Sequence, residues 1–130
     1  MNPFSNEIRR LRKLKGIRQK DAAEKLGYEQ SYISAVELGL KDPPRHPGFL
    51  ERLAKTYQLT EHEQHHLKDL LHLSNRIITI PKKASEEEFY LGHQLEQKFG
   101  TLSADQIHLI NVVLNMNAIS ITDSIGRATM

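Results

Sequence analysis

The chain has 130 residues, 38% of them hydrophobic and 26% charged, with no cysteine and no tryptophan, which suits one ordinary domain or a very small one with an appendage. Large catalytic scaffolds, disulfide frameworks and thiol chemistry are excluded; the longest apolar run, 77–80, is broken by Thr79, and Met1–Ser5 lacks a signal-peptide layout, so a soluble, cytoplasmic, membrane-free protein is expected. The net charge of +2 is uneven: residues 1–58 hold twelve Lys and Arg against seven Asp and Glu (+5), residues 59–130 hold six against nine (−3), so the front suits a polyanion.

Helical periodicity with clear punctuation runs through most of the sequence, and no segment alternates over more than four residues, so an all-α fold is expected. Asn2-Pro3 offers a cap followed by a proline at the first helical position. Ile8, Leu11 and Leu14 then form one stripe until Gly16, with Arg9, Arg10, Arg12, Lys13 and Lys15 opposite. A short second helix fits Gln19–Leu26, burying Ala22, Ala23 and Leu26, and Gly27 supplies a left-handed stop. Ser31–Leu38 fits a third, with Ile33, Val36 and Tyr32 inward, closed by Gly39. Two short helices around a Gly-containing turn, with a small Ala at the crossing, have the pattern of a helix-turn-helix.

Pro43, Pro44 and Pro47 make Leu40–Gly48 stiff and unable to be helical for long. Phe49–Tyr57 follows as a helix with Leu50, Leu53, Ala54 and Tyr57 on one face. Thr60-Glu61-His62-Glu63 is a capping box that opens a fifth helix to about Ser74, burying Leu67, Leu70, Leu71 and Leu73. Residues 76–84 are β-branched and proline-bounded, either a linker or a strand able to pair with a second copy. Boxes at Ser85–Glu88 and Ser103–Gln106 open helices of about 86–99 and 104–116, and the Ser-, Thr- and Gly-containing tail 118–130 is expected to be mobile. The expected organisation is a front domain, 1–75, and a helical segment, 76–117.

Arg12, Gln19, Ala23, Leu26-Gly27, Ile33, Val36-Glu37, Gly39, Phe49-Leu50 and Leu53-Ala54 carry a resemblance. Over Ile8–Leu59 the chain resembles the lambda-repressor-like, or xenobiotic-response-element, family of helix-turn-helix regulators; this is about two fifths of the sequence, and Thr60–Ser74 would be that fold's fifth helix. Leu40–Gly48 is slightly longer than is usual there. The resemblance implies sequence-specific binding of double-stranded DNA, with the third helix in the major groove. Glu29, Gln30, Ser31, Tyr32 and Ser34 would form the reading surface: Gln30 for adenine, Glu29 for the cytosine amino group, the Tyr32 ring for a thymine methyl. Gln19 would place its side chain and the helix N-terminus on a phosphate. With no arginine on that surface, affinity falls to Arg18, Lys20, Lys41 and Arg45 on phosphates. Arg12 and Glu37 are implied to form a partly buried structural ion pair.

His62-Glu63-Gln64-His65-His66 contains H-E-x-x-H, the spacing of zinc-binding imidazoles beside a general base. Glu63 already serves the capping box and too little chain remains for a cleft, so a solvated helix face is expected, with no metal, cofactor or catalysis. From Ile107 to Met116 seven of ten residues are apolar, too wide a stripe for a helix resting on one neighbour. Helix 86–99 offers Phe89, Leu91, Leu95 and Phe99 as one cover, and a second copy the other; Phe89, Leu95, Ile107, Ile110, Val113 and Leu114 would form an isologous interface. The expectation is a homodimeric repressor on a palindromic operator. The alternative is an antitoxin-like protein whose rear half binds a partner protein while the front autoregulates.

Overall fold

The computed structural model describes residues 1–117, and every regular element among them is an α-helix. In order they are α1 (Pro3–Leu14), α2 (Gln19–Leu26), α3 (Gln30–Glu37), α4 (Pro47–Thr56), α5 (Glu61–Leu73), α6 (Glu86–Lys98) and α7 (Ala104–Leu114). The first five belong to a compact unit, Met1–Ile78, and the other two to a second unit that begins at Thr79. The tail at 118–130, expected to be mobile, lies outside the described residues.

In the front unit, Asn2 caps α1 reciprocally with Ser5: Ser5 N–H donates to Asn2 Oδ1 at 2.9 Å and Asn2 N–H to Ser5 Oγ at 3.0 Å. Thr60 and Glu63 do the same for α5. The core collects Phe4, Ile8 and Leu11 from α1, Ala22, Ala23 and Leu26 from α2, Ile33 and Val36 from α3, Phe49 and Leu53 from α4, and Tyr57, Leu59 and Leu67. Each large apolar side chain buried there contributes about 1.5–3 kcal/mol. Burial also pushes the Tyr57 phenol well above its ordinary range. Ser74 closes the layout, its Oγ accepting from Phe4 N–H at 3.0 Å and donating to the Leu70 carbonyl at 2.7 Å.

Several expectations are corrected. Leu14 and Leu73, counted with the apolar stripes, are exposed; each lies in the last turn of its helix, beyond the reach of the core. The third helix starts at Gln30, one residue early, and α4 starts at Pro47 rather than Phe49, because a proline at the first helical position needs no N–H partner. Residues 76–84, open to a linker or a strand that pairs with a second copy, hold neither helix nor strand within the single chain.

The second unit is two capped helices with little interior. Side chains of Ser85 and Ser103 accept from Glu88 and Gln106 N–H groups, and Gly100, at φ +88°, ends the α6 turn. No residue of α6 or α7 is buried. Helix α6 therefore does not cover the apolar face as expected: Phe89 is 51%, Ile107 47%, Val113 59% and Leu114 72% exposed. Only Leu95 and Ile110 of the expected interface are half-buried.

Candidate nucleic-acid interface

The corner between α2 and α3 rests on Gly27, whose φ of +81° lets the chain reverse while Tyr28 N–H still reaches the Ala23 carbonyl at 2.9 Å. Ala22 and Ala23, both buried, hold the α2 side of this packing without bulk. Residues Arg18 and Glu29 occupy the N-cap positions of α2 and α3 in extended conformation, and neither side chain caps its helix. Two helix starts therefore keep first-turn N–H groups unclaimed by a cap and positively polarised. Glu29, Gln30 and Ser31 are exposed, Tyr32 and Ser34 half-buried, and Ile33 anchors the turn below them.

Behind the exposed turn lies a buried charge network. Arg12 Nε donates to Glu37 Oε2 at 2.7 Å, Nη2 to Oε1 at 3.0 Å, and Nη1 to the Ile17 carbonyl at 2.9 Å. The Glu37 carboxylate holds the guanidinium above its already high ordinary value. Gln19 Nε2 adds a bond to Glu37 Oε1 at 3.2 Å, and Gln19 Oε1 accepts a long one from Gln30 Nε2 at 3.5 Å. The side chain of Gln30 is thus tied through Gln19 to the pair that locks α1 against α3.

The proline loop is pinned by aromatic rings. Tyr28 and Tyr32 have centroids 5.3 Å apart, and Tyr28 meets Phe49 edge-on at 6.0 Å. The Tyr32 hydroxyl donates to the Asp42 carbonyl at 2.9 Å, and the Tyr28 hydroxyl lies 3.3 Å from His46 Nε2. The exposed cations differ in their commitments. Arg18 pairs with Asp21 at 2.9 Å and Arg45 stands 3.9 Å from Asp42, while Lys20 and Lys41 have no acidic partner among the described residues.

A family model described as a helix-turn-helix domain matches residues 3–67, half of the chain. The chain belongs to the helix-turn-helix family. That membership places it among DNA-binding transcription regulators. No curated protein sequence matches. A solved SinR protein/SinI protein complex contains a chain similar over 85% of this one and 93% of its own length, at 23% identity and a TM-score of 0.43.

Other residues of the helix-turn-helix chain fall elsewhere. His62, His65 and His66 are exposed on α5. Glu63 is held by the Thr60 N–H at 3.0 Å and by Lys15 Nζ at 3.1 Å, which together keep its carboxyl below the ordinary range. No three His, Asp or Glu side chains among the described residues are grouped to hold a metal. One polar residue escaped the sequence reading: Arg76, which donates from Nη2 to the Gly39 carbonyl at 3.1 Å. The two are 37 positions apart, and nothing in the local sequence pairs them.

Proposed function

We propose that the chain is a cytoplasmic, sequence-specific repressor that binds double-stranded DNA as a homodimer on a palindromic operator. The observation that carries this is the exposed polar first turn of α3 beside two uncapped helix starts and the cations Lys20 and Lys41, which have no acidic partner among the described residues. Phosphates would lie on the α2 N-terminus at Gln19 and on Arg18, Lys20, Lys41 and Arg45, fixing register and orientation. Glu29, Gln30, Ser31 and Ser34 would face base edges. Tyr32, its hydroxyl already committed to Asp42, would offer only its ring to a thymine methyl.

Dimerisation supplies what a single small reading head lacks, since two copies address half-sites about one helical turn apart. The exposed apolar side chains of α6 and α7 support a second copy as their cover. The same face also suits a different protein, and a stoichiometric partner recovered in a native pull-down would favour the antitoxin-like reading instead.

Selection of bound duplexes from a random pool, with a native mass, tests the proposal; equal recovery of all duplexes would overturn it. Two variants sharpen it. Gln30→Ala is expected to relax preference at one base pair, by about 1–3 kcal/mol of discrimination, while the rest of the selected motif persists. Lys41→Ala is expected to weaken all duplexes alike and to reduce the slope of log Kobs against log salt by about 0.9, as measured by anisotropy.

A further inference from the structure

Arg76 stands three residues past the end of α5 but is fastened to the end of the α3 segment through the Gly39 carbonyl. Gly39 has φ +74°, and a Cβ there would lie 2.9 Å from Met1 Cα, so the position favours glycine. The bond uses one of five guanidinium N–H groups and fixes the head without exhausting it. Arg76 then lines an open cleft of about 730 Å³ with Tyr32, Gly39, Leu40, Lys41 and Asp42. Tyr32 belongs to the first turn of α3 and is tied to the Asp42 carbonyl, so the cleft is lined by a residue of the reading turn as well as by the guanidinium.

The cleft carries two cations, Lys41 and Arg76, against one carboxylate, Asp42. Neither Lys41 nor Arg76 has an acidic partner among the described residues, and Asp42, the carboxylate that lines the cleft, stands 3.9 Å from Arg45. We propose that Arg76 is a DNA-phosphate contact, gripping with Lys41 the backbone that runs beside the reading turn of α3. This rests on the DNA-binding reading above and extends it to a residue outside the helix-turn-helix motif. A planar fork held at one corner suits a phosphate, whose oxygens accept two parallel N–H bonds.

The test is a salt titration of the full-length chain by anisotropy, on a fluorescein-labelled duplex recovered by the wild type from a random pool. Arg76→Gln retains an N–H donor for the Gly39 carbonyl but no charge; Arg76→Lys retains the charge. Arg76→Gln is expected to lower the salt slope by about 0.9, Lys41→Ala by the same amount, and the double variant by about twice that, while Arg76→Lys keeps the wild-type slope. A wild-type slope in Arg76→Gln, on a duplex the wild type binds normally, overturns the proposal and leaves the regulator reading intact. A wild type that recovers no duplex overturns both.

Discussion

Arg12→Ala is expected to destabilise the front unit by about 3–5 kcal/mol, the range for breaking a buried ion pair by removing one partner. The Glu37 side chain is 2% exposed and in the wild type faces two guanidinium nitrogens and the Gln19 amide. Without Arg12 only the Gln19 bond at 3.2 Å remains, too little to replace the water a carboxylate loses on burial. Urea unfolding at pH 7 checks this. A deficit under about 1 kcal/mol at neutral pH would mean that the pair does not lock α1 to α3. Arg12→Leu combined with Glu37→Leu is expected to lose less than Arg12→Ala alone, since no charge is left buried.

What could be read from the sequence follows a physical division. Helix α2 is legible to the residue, Gln19 to Leu26, because Gly27 is a stop that only a left-handed residue satisfies cheaply and the Ala pair marks the buried side. The capping boxes at Thr60, Ser85 and Ser103 are equally legible, being short-range hydrogen-bond patterns written in four consecutive residues. Periodicity alone served less well. It assigned Leu14 and Leu73 to buried stripes, since it reports which face a residue is on and not how far the core extends along the helix. Contacts between distant positions were the least legible. Arg76 on Gly39 depends on where the end of α5 meets the end of α3, and Tyr32 on Asp42 on the path of the loop after α3, and no local pattern encodes either.

Val113→Glu is expected to turn the proposed dimer into a monomer at micromolar concentration and to weaken binding to a palindromic operator by about 100-fold, with single half-site binding unchanged. The residue is chosen because Val113 is 59% exposed in one chain, so a carboxylate there is solvated in the monomer and the helix remains intact. Glutamate is also at least as good a helix former as valine. In a two-fold assembly the same change occurs on both sides of the axis, so two charges must be desolvated against apolar neighbours such as Ile110 and Leu114. A penalty of about 2.7 kcal/mol already corresponds to a factor of 100 in the association constant. Loss of the second half-site then removes the avidity of two linked reading heads, worth about 100-fold or more. Native mass spectrometry of both proteins at matched concentration, with anisotropy on full and half operators, checks each link. Persistence of a dimer in Val113→Glu would take Val113 out of the self-interface, and a monomeric wild type would overturn the homodimer reading.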